Sequence, residues 1–239
     1  MNPRFSCGLS TMPLREFPSE AAECGTFLLL GEPYTLVKSM ANDSGSLWHE
    51  IICDHDAYKG FISDAYHKLS VPPLENSYKI TQPCLIKDEA GTRYISPGSY
   101  INFNNTYTDK IEPEAFLKQY LGTPYLWGGR SITGIDCSGF SQIYMDYMGM
   151  PVPRNASQQY LLGNPIDWGN HKFGDLAFFG SLPDNTQPKI THVGIILKSD
   201  SIIHASGKVK IDTFTPEGIL SEVESVLTHT LIGIKRFTA

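Results

Sequence analysis

Gly134-Ile-Asp-Cys-Ser-Gly-Phe140 sets a cysteine between an aspartate and a serine, immediately ahead of a helical pattern. Beyond Cys137 the apolar residues Phe140, Ile143, Tyr144, Tyr147 and Met148 fall at i, i+3, i+4, i+7 and i+8, which is one face of an α-helix. Gly149 and Pro151 end it. The spacing predicts a helix with Cys137 in its first turn and Asp136 or Ser138 as its cap. A thiol there meets unpaired backbone N–H groups and the positive end of the helix dipole, and both favour the nucleophilic thiolate.

A sulfur nucleophile needs a base within hydrogen-bond reach, and the base needs an orienting group. Two histidines lie in suitable settings downstream. His192 opens the apolar run Val193-Gly-Ile-Ile-Leu197, and His204 sits inside Ile202-Ile-His-Ala-Ser206. Lys198-Ser199-Asp200 between them reads as a hairpin turn. A turn of three residues sets His204 opposite Gly194 and on the face of His192, so the imidazoles become diagonal neighbours. A turn of two residues sends His204 to the other face. Gly194 leaves room for both rings and an approaching helix. A Cys/His/His set also suits zinc, but only if neither imidazole is oriented by a hydrogen bond from the other, and no metal or cofactor is expected. His49, His55, His67, His171 and His229 have no comparable setting and read as surface or loop residues.

Composition excludes several functions. The chain has 239 residues, 41% hydrophobic and 18% charged, with a net charge of −6 and a pI near 5.6. No basic stripe points to nucleic acid, and the apolar runs are too short for a membrane span. The N-terminal stretch lacks the charged and apolar regions of a secretory leader. The expected compartment is therefore the cytoplasm, or the periplasm or exterior if a leader has been removed. Five cysteines, Cys7, Cys24, Cys53, Cys84 and Cys137, form no CxxC pair, so neither a disulfide framework nor a zinc knuckle is expected.

The two parts of the chain differ in pattern. Residues 1–108 carry short alternating runs between turn signals such as Asp43-Ser44-Gly45 and Pro97-Gly98, which predicts a small barrel, with the residues from about 76 either decorating it or starting a partial second one. The stretch 104–113 reads as a linker. Residues 109–239 begin with a helix at Pro113 carrying Phe116, Leu117, Tyr120 and Leu121. A Gly/aromatic loop and the Cys137 helix come next, then a short helix after Pro153. Strands over GDLAFFG, ITHVGIILK, SIIHASG and LIGIKRF complete an α+β domain.

PYLWGGRSITGIDCSGF, VPRNASQQ, FGDLAFFG, THVGIILK and IIHASG, over residues 112–237, resemble the NlpC-type family of papain-like cysteine peptidases that cut peptidoglycan stem peptides. The resemblance implies Cys137 as nucleophile, His192 as base, His204 as the group orienting it, and Tyr125 as a hydroxyl beside the oxyanion together with the Cys137 N–H. PLREFPSEAAECGTFLLLGE and LWHEIICDHDAYKGFIS resemble the bacterial SH3-like barrels that precede this domain in γ-D-glutamyl-L-diamino acid endopeptidases. There the barrel closes one end of the cleft. By that resemblance Glu23, Tyr58 and Asp136 hold the ammonium of a free N-terminal L-alanine, and Ser138, Arg130 and Arg154 are candidates for the D-glutamate α-carboxylate.

The implied substrate is a stem peptide, L-Ala-γ-D-Glu-diamino acid, in muropeptide recycling or the processing of released wall fragments. The expected state is a monomer. Asn155 and Ala156 replace the aspartate and serine usual after the Pro-Arg pair, and Phe61 stands where tryptophan is common. A non-catalytic wall-binding protein and a lipid or amide acyl hydrolase with the same Cys/His/His set are the competing readings.

Overall fold

Alternation of apolar and polar residues, as in Leu47-Trp-His-Glu-Ile-Ile-Cys53, forces strands whose two faces differ. In a computed structural model, which describes residues 2–238 other than 89–90, 104–105, 184–186, 222 and 224, the chain folds into two compact units. One comprises residues 1–119 and 126–134, the other 120–125 and 135–239. By contacts, the helix at Pro113 and the Gly-rich segment after Tyr125 thus go with the first unit, although the sequence pattern changes near residue 108. The linker read at 104–113 lies partly outside the described residues.

The first unit holds β1 (Arg4–Ser6), β2 (Thr11–Arg15), β3 (Cys24–Leu29), β4 (Pro33–Ala41), β5 (Leu47–Cys53) and β6 (Lys59–Ser63). They form an antiparallel sheet in the order β1-β4-β5-β6-β2-β3. It wraps a core of Cys7, Met12, Leu14, Leu28, Tyr34, Ile51, Cys53 and Ile62. A single-turn helix, α1 (Asp64–His67), follows. Then come β7 (Tyr78–Lys79), β8 (Cys84–Asp88), β9 (Gly91–Ile95) and β10 (Tyr100–Ile101), paired as two separate two-stranded ladders over Ile80, Cys84, Ile95 and Ile101. The described residues of 76–108 therefore form two short ladders over a small core against which Leu30 of the first sheet's segment packs, the decorating alternative of the two expected. In α2 (Pro113–Lys118) Phe116 and Leu117 are buried, while Leu121 beyond it is exposed.

The second unit opens with the short strands β11 (Arg130–Ser131) and β12 (Gly134–Ile135) leading to α3 (Cys137–Tyr147), α4 (Ala156–Tyr160) and β13 (Asn164–Ile166), with β11 and Gly134 counted in the first unit. Then follow β14 (Leu176–Ser181), β15 (Lys189–Lys198), β16 (Ser201–Ser206), β17 (Lys208–Thr215), β18 (Gly218–Leu220) and β19 (Leu227–Arg236). The strand order is β13-β19-β14-β15-β16-β17-β18, and β18 also pairs with β19, so the sheet closes on itself. Phe179, Ile196, Ile202, Phe214, Ile219 and Ile234 fill its interior. Helix α3 packs on β15 and β16 and buries Phe140, Ile143, Tyr144 and Met145. Gly149, at φ +77°, ends that segment. Among the described residues no helix is long and apolar enough to cross a membrane.

Candidate active site

Cys137 is the first residue of α3, and Asp136 is its N-cap: Oδ1 accepts from the Gly139 N–H at 2.7 Å. The same carboxylate takes the Arg154 guanidinium, Nη1 to Oδ1 at 3.0 Å and Nη2 to Oδ2 at 2.5 Å, and the Ser138 hydroxyl at 3.3 Å. Arg154 Nη1 also donates to Ser138 Oγ at 2.8 Å. Gln159 ties α3 to the following segment through Ser141 Oγ, the Ser138 carbonyl and the Pro153 carbonyl. The cysteine therefore sits on a helix tip braced by a buried charge pair and a buried amide.

The β15–β16 hairpin sets Gly194 opposite His204, the register that brings the two histidines to one face. It gets there by a different route from the expected three-residue turn. Lys198 pairs with Ser201 across a two-residue turn, which alone would turn His204 away. A bulge between Ile196 and Lys198 restores the parity. A Cβ on Gly194 would come within 2.7 Å of Ile202 Cδ1 and 3.1 Å of His204 Cβ, so only glycine fits unshifted.

His192 Nε2 and His204 Nδ1 lie 2.8 Å apart, and His204 Nε2 lies 3.0 Å from Asp212 Oδ2. This chain fixes the protons. A carboxylate accepts, so His204 carries its proton on Nε2 and offers the Nδ1 lone pair. His192 must then donate from Nε2, which leaves its basic lone pair on Nδ1. Lys210 Nζ steadies Asp212 at 2.9 Å. Asp212 is 1% exposed and His204 fully buried. Sequence reading missed Asp212 because β17 was not recognised as a strand. The signal was there: Lys208, Lys210 and Asp212 alternate with apolar residues, so the three charged residues share one face.

The sulfur lies against β15, the strand that carries the base. The N–H groups of Val193, adjacent to His192, and of Ser138 act on it directly. The thiol is nonetheless pushed up to about 11, first by burial and then by the Asp136 carboxylate, against the pull of those N–H groups and Arg154. This corrects the expectation of a resting thiolate: burial of the sulfur outweighs the helix-tip N–H groups, and the cap that orders the tip is itself an anion next to it. Burial, with His204, His229 and Lys210 nearby, holds His192 well below 6.5. Cys137 and His192 thus rest as a neutral thiol and a neutral imidazole.

Tyr125 is held by its N–H on the Gly207 carbonyl at 2.9 Å and by a bridge to Ile135, two residues before the cysteine. Its hydroxyl is raised to about 12 by burial and by Cys137, so it keeps its proton and can donate. His229, read from sequence as a surface or loop residue, is half-buried on β19, which starts at Leu227 rather than at Leu231. Its ring stacks on His192 with centroids 4.2 Å apart. An open cavity of about 270 Å³ meets Tyr125, Thr191, His192 and His229. His49 is buried against Asp64 rather than on the surface.

Glu23 and Tyr58 belong to the first unit and Asp136 to the second. Glu23 is exposed just before β3, and a Cβ on Gly25 would lie 1.9 Å from Tyr58 Oη, so both residues share one corner of the barrel. Two arginine expectations are corrected. Arg130 is 1% exposed and is paired with Glu32 through both terminal nitrogens, at 2.8 and 3.0 Å, so it holds the first unit together and does not meet a substrate. Arg154 is 2% exposed and committed to Asp136 and Ser138, which makes it a brace for the helix tip rather than a ligand for a carboxylate.

Residues 122–227 match the NlpC/P60 family. A probable endopeptidase of Haemophilus influenzae is 38% identical over 111 residues, 44% of this chain and 67% of that protein. A gamma-D-glutamyl-L-lysine dipeptidyl-peptidase of Bacillus subtilis is 37% identical over 174 residues, 68% of this chain and 55% of that protein, so the chain spans about half of that relative's length. An NlpC/P60 family protein from Bacillus cereus superposes with a TM-score of 0.74 at 17% identity, over 98% of this chain and 99% of the other, which is a likeness of fold.

Proposed function

We infer that this chain, which belongs to the NlpC/P60 family, is a cysteine peptidase that hydrolyses the γ-D-glutamyl-L-diamino acid bond of peptidoglycan stem peptides. The observation that carries the reading is the His192–His204–Asp212 chain, which leaves the lone pair of His192 on Nδ1, one residue before the Val193 N–H that acts on the helix-tip sulfur. The printed name of the Bacillus subtilis relative supports the choice of bond.

In this reading the Cys137 sulfur attacks the γ-carbonyl as His192 Nδ1 takes the thiol proton. Because the thiol rests protonated, transfer and attack go together rather than in sequence. The Cys137 N–H, which has no partner earlier in the helix, and the Tyr125 hydroxyl receive the oxyanion. The imidazolium then protonates the leaving α-amine of the diamino acid. Water, activated by the same nitrogen, hydrolyses the thioester and frees L-Ala-D-Glu. His204 and Asp212 are positioning residues, since neither touches the reacting atoms.

We read the first unit as an SH3-like barrel and assign the preference for a free amino terminus to Glu23 and Tyr58. Such a preference suits small stem peptides released during wall turnover. The test is mass spectrometry of a panel of L-Ala-γ-D-Glu-diamino acid peptides with free or acetylated N-termini. The expected result is L-Ala-D-Glu from the free peptides alone, with Glu23→Gln narrowing the difference. Equal turnover of both forms would refute the amine requirement, and cleavage at another bond would refute the whole reading.

A further inference from the structure

We propose that His192, His204 and His229 form a binding site for a first-row transition metal ion, Zn²⁺ in the first instance, that switches the site off. The inhibitory consequence rests on the peptidase reading; the binding does not. One ligand atom from each of the three imidazoles lies within 4.8 Å of the other two. The Cys/His/His set considered from sequence is a different one, because here His229 stands in place of the sulfur.

The donor chemistry fits. Each imidazole has one nitrogen whose lone pair can ligate a metal, and the hydrogen bonds of the cluster decide which. His204 gives its Nε2–H to Asp212, the carboxylate–histidine arrangement that orients metal-binding imidazoles, and turns its Nδ1 lone pair into the cluster. His229 has Nδ1 on the Thr228 hydroxyl at 2.9 Å, which leaves Nε2 as its ligating nitrogen. The neighbouring cavity of about 270 Å³, bordered by His192 and His229, admits the ion and a water as fourth ligand.

The ion competes with a proton. His192 Nε2 and His204 Nδ1 share one across 2.8 Å. Zinc–nitrogen bonds of about 2.0–2.1 Å in a tetrahedral site set two ligand nitrogens roughly 3.3 Å apart, so the rings part by about half an ångström. The proton on His192 moves from Nε2 to Nδ1 as the ion takes its place. That leaves an N–H where the base had its lone pair, so the ion cannot activate the reaction and must block it. Lys210, on Asp212, opposes the ion and holds the affinity below that of a structural zinc site.

The test titrates the whole chain with Co²⁺ and with Zn²⁺. The Cys137→Ala variant should bind one Co²⁺ with the visible bands of a four-coordinate ion, without sulfur charge-transfer absorption. His229→Ala should lose those bands and need about tenfold or more Zn²⁺ for the same inhibition. His229→Gln, compared by circular dichroism, separates loss of the ligand from loss of the fold. Undiminished Co²⁺ binding in both His229 variants would overturn the proposal. So would loss of binding in Cys137→Ala, which would place the sulfur in the site. Because the Co²⁺ spectrum is read without substrate, an inactive wild type would count against the peptidase reading and leave this one standing.

Discussion

Replacing Asp212 by leucine removes the one acceptor that dictates where His204 keeps its proton. The His204 Nε2–H is then buried without its 3.0 Å partner, at a cost of about 1–3 kcal/mol. The ring can avoid that cost by moving its proton to Nδ1, which points at His192. His192 must then turn its own lone pair toward His204 and away from the sulfur. With 1.4 kcal/mol for each factor of ten, the productive tautomer becomes about 5- to 150-fold rarer. kcat/KM for L-Ala-D-Glu release should fall by that factor with KM little changed. Asp212→Asn keeps an amide oxygen able to accept from Nε2–H and loses only the charge, so its loss should be smaller, about 3- to 10-fold. Kinetics by liquid chromatography, alongside a urea titration to hold folding in view, gives both numbers. Wild-type kcat/KM in a folded Asp212→Leu protein would refute the tautomer argument, as would equal losses in the two variants.

Gly194→Ala places a Cβ 2.7 Å from Ile202 Cδ1 and 3.1 Å from His204 Cβ. It should lower stability by about 1–3 kcal/mol and lower kcat by more than that loss of folded protein explains, as read from kinetics at a temperature where both proteins are folded. Arg154→Met strands the buried Asp136 carboxylate and should destabilise the protein by about 3–5 kcal/mol in urea melts; a change under 1 kcal/mol would show that the pair does not brace the helix tip. The buried imidazoles of His192 and His204 and the half-buried one of His229 have folded pKa values below their unfolded 6.5, so the native state binds fewer protons than the unfolded chain as pH falls below about 6.5. Thermal stability should therefore drop between pH 7 and pH 5, while the acid limb of kcat/KM, which marks protonation of His192, lies below 6.5. An acid limb centred above 6.5 would contradict the burial of the base.

The hairpin that carries the two histidines was legible because side-chain parity is a strict rule: if the rings are to meet, His204 must oppose Gly194. How the parity arises was not legible, since a bulge at Leu197 leaves no sequence mark that distinguishes it from a longer turn. Position at a helix start argued for a thiolate, but the fold buries the sulfur, and that burial, with a carboxylate cap beside it, outweighs the helix-tip N–H groups. Asp212 and His229 escaped notice because β17 and the first residues of β19 are rich in lysine and threonine and lack the apolar runs that marked their neighbours. Arg130 and Arg154 looked like substrate ligands because their charge is visible in sequence and their partners, Glu32 and Asp136, are identified only by the fold.

The most direct measurement is intact-protein mass spectrometry of acid-quenched reactions with L-Ala-γ-D-Glu-diamino acid, run beside product analysis of Cys137→Ala. Attack by the sulfur predicts an L-Ala-D-Glu adduct that maps to Cys137 in the wild type, and neither adduct nor product in the variant. Product release by Cys137→Ala at a rate near that of the wild type, or an adduct on any other residue, would contradict it.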